Sequence, residues 1–167
     1  PGTAPNQDNN TPSNATYTVG SVTSGQPTQG TYALQLQSNM TTAQGCDVVH
    51  GPAVYSSEFQ AATGDKIYFD WRAFSGSDAY AVFGYIVDRN GTQTEVLDTY
   101  ATSSSNTNWA TKETVIPTGG YYRFVFVAGT FDATCGQAAG ASLLIDNVKV
   151  FGSKASDDVA QQVARKL

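Results

Sequence analysis

The chain has 167 residues, a formal net charge of −5 at pH 7 and only 14% charged residues, well below the usual quarter. That length suits one domain with a substantial core, and the acidic balance makes nucleic acid and anionic membranes poor partners. No apolar run is long enough to cross a membrane, so no insertion is expected.

Residues 1–15 are rich in Asn, Pro and Thr and read as a flexible linker, so the expectation is a monomeric module of a larger chain. Short bursts of alternating apolar and polar residues follow, which is the period of a half-buried strand. TYTVGSV (16–22) and YALQLQS (32–38) come first, then VYSSEFQ (54–60) after a loop holding Cys46 and the single histidine, His50. Thr63-Gly64-Asp65 reads as a turn into KIYFDWRA, with Ile67, Phe69 and Trp71 on one face and Tyr68, Asp70 and Arg72 on the other. Ser75 to Asp78 reads as a turn, with AYAVFGYIVD (79–88) returning as a hairpin partner. Asn90-Gly91 is a strong hairpin signal into TEVLDTY (94–100). ATKETVIP (110–117) ends at Pro117 and a Gly-Gly turn, and YYRFVFVAG and ASLLIDNVKVF complete the set. About nine strands at regular spacing predict an all-β fold, an antiparallel two-sheet β-sandwich of jelly-roll type over 16–152. The last stretch, 153–167, is a tail or a short C-terminal helix, with Asp157 and Asp158 at its start and Arg165 and Lys166 at its end, as a helix dipole favours.

Two cysteines, Cys46 and Cys135, fall in predicted loops, and either a disulfide or two free thiols fits them. Of the fourteen acids eleven are Asp, the residue of turns and of short-reach oxygen ligation. Gly129 to Gly140 forms a loop of small residues that lets main-chain carbonyls approach a ligand, and Asp132 sits near its start. Asp132 either caps a turn or holds a cation at a binding mouth. Asp146, in LLIDNV, is an acid inside an apolar strand; it is either an edge-facing acid or a structural calcium ligand joining the terminal strand to an early one. Asp70 is either ion-paired with Arg72 on a solvated face or projects into a binding face, and Asp78 reads first as a turn acid. Calcium, a hard cation with oxygen ligands, is the ion this donor set suits, with Asp70, Asp78, Asp132 and Asp146 as its candidates.

Catalysis has thin support. No nucleophile elbow, no metalloprotease helix motif and no phosphate-cradling loop occurs, and one histidine supplies no zinc cluster. A binding module is therefore expected rather than an enzyme. Trp71 and Tyr85 read as core residues, whereas Tyr80 is the expected exposed ring.

Four blocks carry a family resemblance: HGPAVYSSEF, GDKIYFDWRA, DAYAVFGYIV and YYRFVFVAGTFDATCGQAAGASLLIDNV. Together, over roughly residues 45–151, they resemble the calcium-dependent peptide-binding domain near the distal end of long RTX adhesins of Gram-negative bacteria. The resemblance implies a secreted module at the bacterial cell surface. It would bind the free C-terminal ends of proteins on host or neighbouring cells, with a bound calcium taking the terminal carboxylate. It places the ion on Asp132, with Asp70 and Asp78 as helpers. The ligand pocket would be lined by His50, Gly51, Tyr80, Gly129, Thr130 and Gly136. The chief rival expectation is a calcium-containing carbohydrate-binding jelly-roll module, which LLIDNV also suits. A rigid structural spacer and a hydrolase stand behind it.

Overall fold

The computed structural model describes residues 17–22, 26–38, 40–42, 48–101, 103, 105–131 and 137–152. The expected linker, the expected C-terminal helix and both cysteines lie outside those residues, as do Asp132 and Gly136. Twelve strands are described, all antiparallel where paired. The first six are β1 (Tyr17–Val22), β2 (Ala33–Ser38), β3 (Met40–Thr42), β4 (Val48–Tyr55), β5 (Phe59–Ala61) and β6 (Lys66–Phe74). The rest are β7 (Ala79–Asp88), β8 (Gln93–Tyr100), β9 (Ala110–Val115), β10 (Gly120–Phe131), β11 (Gln137–Ala139) and β12 (Ser142–Phe151). One sheet runs β1-β2-β12-β6-β9 and the other β4-β10-β7-β8, with β5 also on β10; β3 and β11 form a separate ribbon. This is the all-β, two-sheet sandwich of jelly-roll type that the alternation predicts.

Alternation builds the core between the sheets. Ile67 and Phe69 from β6 meet Phe124 and Phe126 from β10, with Leu143, Ile145 and Val150 from β12 and Leu36 from β2. Phe69 and Phe126 pack edge to face at 5.1 Å, an arrangement that the ring quadrupoles favour. Trp71 packs against this cluster, as its place beside Ile67 and Phe69 predicts.

Three local expectations give way. The Ser75–Asp78 turn does not close a hairpin: β6 pairs with β12 and β9, whereas β7 pairs with β10 and β8, so the turn carries the chain from one sheet to the other. His50 lies in β4 rather than in a loop, and 56–58 separate β4 from β5 where one strand was expected. Ser56 explains that break. Its Oγ accepts from the Phe124 N–H and its own N–H donates to the Phe124 carbonyl, so β10 is satisfied through a side chain where the ladder stops. The Asn90-Gly91 hairpin forms as expected, with Gly91 at φ 84° and Asp88 Oδ1 accepting from the N–H groups of Asn90 and Thr92.

The outward face of the β4-β10-β7-β8 sheet is not a solvated face. A second apolar cluster lies there, formed by Ala53, Ala81, Phe83, Tyr85, Val125 and Val127, with Val87 and Phe131 packed against it. β7 is therefore buried on both sides, which is why its sequence reads as a nearly continuous apolar run.

Candidate functional site

Two places on the sandwich gather chemistry, one on the outward face of each sheet. The first sits where β6 and β12 pair. Asp70 and Asp146 are direct cross-strand partners, so two carboxylates share one spot. Like charges directly opposite are destabilising unless something lies between them.

The surrounding contacts show what gathers there. Thr28 Oγ1 lies 2.6 Å from Asp70 Oδ2 and 3.1 Å from Asp146 Oδ2. A hydroxyl has one hydrogen and satisfies only one of these oxygens. The Gln29 N–H donates to Asp146 Oδ2 at 2.9 Å, and Thr111 Oγ1 donates to Asp70 Oδ1 at 2.6 Å. A register shift follows Asp146, and Asn147 adopts φ 53°, a left-handed conformation that Asn tolerates better than most residues. That irregularity turns Asn147 back onto the site. Its Nδ2 donates to Asp70 Oδ2 at 3.0 Å, while its Oδ1 is buried without a hydrogen-bond partner. Burial pushes the Asp70 carboxyl up, but the bonds from Thr111, Thr28 and Asn147 and the charge of Lys149 together hold it below its ordinary value.

This donor set suits a hard cation: two carboxylates, an orphaned amide oxygen and a hydroxyl with too few protons, all oxygen. Among the described residues no group of three or more His, Cys, Asp or Glu side chains assembles, so neutral oxygens have to complete any shell here. Of the two readings of Asp70, the ion pair with Arg72 is not the one that forms. Arg72 instead donates through Nε to the Thr107 carbonyl and lies over the Phe74 ring.

The second place is one end of the opposite outward face. Tyr100 pairs with Ala81 across β8 and β7, and Phe131 pairs with Ala79 across β10 and β7. The two rings reach toward each other over the small residues of β7, with centroids 5.5 Å apart and planes tilted by 32°. Tyr100 is 57% exposed, the most open ring on this face. Asp98 stands two residues back on the same face of β8, exposed and opposite Phe83. Gly129 and His50 pair in the same row of the sheet as Ala81 and Tyr100. Further along, Tyr55 is 43% exposed beside Val125. At the far end Arg89 lies 3.6 Å over the Tyr121 ring, held by both carboxylate oxygens of Glu58.

The predicted site residues thus separate. Asp70 and Asp146 meet on one outward face, and His50 and Gly129 are backbone partners across β4 and β10 of the other sheet. Asp78 is buried in the turn leading into β7, in the sheet that does not hold the Asp70–Asp146 pair. Tyr80 is not an exposed ring. It occupies an inward position of β7 and is buried in the core, because alternation sends Ala81, Phe83 and Tyr85 outward. Thr130 is likewise inward and fully buried. Gly51 marks a close approach of two strands, since a Cβ there would lie 2.3 Å from the Ala128 carbonyl oxygen. Sequence reading missed Tyr100, Phe131, Thr28 and Asn147. The available signals were an aromatic at the end of an exposed edge strand and an Asn after a strand-borne Asp.

No family model matches the sequence, and no curated protein matches it. Solved structures do match in fold. One is TmCBM61, a carbohydrate-binding module in complex with β-1,4-galactotriose, at 14% identity over 86% of this chain and 92% of that one, with a TM-score of 0.53. The CBM22-1 xylan-binding domain of Paenibacillus barcinonensis Xyn10C matches at 14% identity over 87% and 90% of the two chains, with a TM-score of 0.44. The family 11 module of Clostridium thermocellum, in complex with a mixed-linked tetrasaccharide, matches at 14% identity over 83% and 84%, with a TM-score of 0.43. The structural neighbours are carbohydrate-binding β-sandwiches, not RTX adhesin peptide-binding domains. C-terminal peptides are accordingly withdrawn as partners, since the fold is shared with TmCBM61, a module solved with an oligosaccharide.

Proposed function

We propose that this chain is a carbohydrate-binding β-sandwich module, non-catalytic and secreted, with its ligand surface at the Tyr100 end of the β4-β10-β7-β8 sheet. The Tyr100–Phe131 ring pair carries this reading. A sugar ring offers an apolar C–H face and a rim of hydroxyls. An exposed aromatic platform takes the first, and carboxylate acceptors such as Asp98 and Glu95 take the second. The fold supports the reading at the level of architecture.

In the same proposal the Asp70–Asp146 site holds a calcium ion. Asp70, Asp146, Asn147 Oδ1 and Thr28 Oγ1 would be its protein ligands. Its role is structural, because Thr28 and Gln29 fasten the segment before β2 onto β12 and β6. The ion would balance two facing carboxylates and would lie on the opposite sheet from the sugar surface.

Isothermal titration against β-1,4-galactotriose, xylotriose and a mixed-linked glucan tetrasaccharide tests the binding reading. At least one is expected to bind, and Tyr100→Ala should weaken that binding about tenfold or more, which is ~1.4 kcal/mol or more. A wild-type chain that ignores every member of a broad oligosaccharide panel would exclude the proposal.

A further inference from the structure

We propose that Arg123 is an anion-binding position on this face, so that the glycan bound here is an acidic one, carrying carboxylate or sulfate groups. The inference rests on the carbohydrate reading above and adds the ligand's charge to it. Arg123 lies on β10 two residues before Val125, and alternation turns it to the same outward side as Val125 and Val127. It is exposed. Among the described residues the ion pairs are Lys66–Glu113 and Arg89–Glu58, and the Arg123 guanidinium has neither an ion-pair nor a hydrogen-bond partner. Phe131 is eight residues further along the same strand, roughly 26 Å, so this position is separate from the Tyr100 end.

The surroundings leave that charge available. Glu58 is held below its ordinary carboxylate range chiefly by its hydrogen bonds from Arg89, and the charge of Arg123 contributes more weakly, so the three groups share one neighbourhood. Both Glu58 oxygens are taken by Arg89, whose guanidinium also lies over the Tyr121 ring. That fork-to-fork pairing satisfies the carboxylate and leaves two cations against one anion on the outward side. Asp88 pairs with the inward Tyr122, and its Oδ1 is engaged by the N–H groups of Asn90 and Thr92. Glu95 faces Tyr85 on β8, two strands away from β10. The break between β4 and β5 adds room. Tyr55 pairs with Val125 and Phe59 with Tyr122, so no residue of either strand is paired with Arg123. On its other side the row continues through Val87 and Gln93, neither of them charged. A planar guanidinium with free N–H groups matches the paired oxygens of a carboxylate or a sulfate ester.

The test titrates galacturonan oligomers and sulfated galactan oligomers into the whole chain at fixed calcium and low salt. The methyl-esterified and desulfated forms of the same oligomers serve as neutral counterparts, and the two arms tell carboxylate from sulfate. For the series that binds, wild type should take the acidic form about fivefold or more tightly than the neutral one, and the gap should close as salt is raised. The net charge of −5 works against such a preference, so it has to come from a local cation. Arg123→Gln should cut the gap to about twofold or less and leave the affinity for the neutral form unchanged. Lys112→Gln, which removes an exposed cation from β9 of the other sheet, should keep the gap. Equal binding of acidic and neutral forms, or binding confined to neutral glycans, would overturn the inference and leave carbohydrate binding standing. So would an Arg123→Gln chain that keeps the full gap, or an equal loss in Lys112→Gln. No binding of any saccharide, acidic or neutral, would overturn both.

Discussion

Asp70→Ala is expected to destabilise the fold by about 3 kcal/mol, lowering the melting temperature by roughly 6–12 °C for a chain of this size. The carboxylate is 6% exposed and accepts from Thr28, Thr111 and Asn147, so its removal breaks three hydrogen bonds at once. The same variant tests the ion. Calcium at a hundredfold excess over its dissociation constant should stabilise wild type by about 2.7 kcal/mol relative to chelator, because it binds the folded state alone. Asp70→Ala should show no such difference. Thermal melts with calcium and with chelator, for wild type and variant, read both effects. A wild type indifferent to calcium would reduce the site to a hydrogen-bonded pair of acids. Asp146→Ala should remove the calcium response too, at a smaller stability cost, since its bonds from Thr28 and Gln29 lie near solvent.

Much of the architecture was readable from alternation. The strand over 79–88, the turn at Asn90-Gly91 and the opposite faces of Ile67-Phe69-Trp71 and Tyr68-Asp70-Arg72 all depend on neighbours two or four residues away, which a sequence displays directly. What failed depends on distance in space. A short turn such as Ser75–Asp78 serves equally to close a hairpin or to cross between sheets. The choice is made by β10 and β12, which arrive dozens of residues later. Asp146 stood out because an acid between apolar neighbours has to be satisfied. Its companions were hidden, since Thr28 is 118 residues away in sequence and Asp70 sits on another strand. Arg72 looked like the partner of Asp70 only because it lies two positions on. The Tyr100–Phe131 platform was invisible for the same reason, because its two rings share a strand neighbour, not a stretch of chain.

Gly51 shows how a residue chosen for ligand contact can matter through the backbone instead. Gly51→Ala would place a methyl carbon 2.3 Å from the Ala128 carbonyl oxygen and 3.2 Å from Ser38 Cβ. Neither neighbour is the free end of a long side chain, so β4 has to move away from β10. The expected cost is about 2–3 kcal/mol or slightly more, a melting-temperature drop of roughly 5–10 °C. Gly20→Ala is the control, since nothing lies within 4 Å of the Cβ it would add and its cost should stay within about 0.5 kcal/mol. The shift has a second consequence. Gly51 adjoins His50, which pairs with Gly129 in the row that ends at Tyr100. If that row floors the sugar surface, Gly51→Ala should weaken oligosaccharide binding at temperatures where the variant is still fully folded. Unchanged binding in the folded variant would confine the surface to β10, β7 and β8, where Phe131, Ala81 and Tyr100 already stand together.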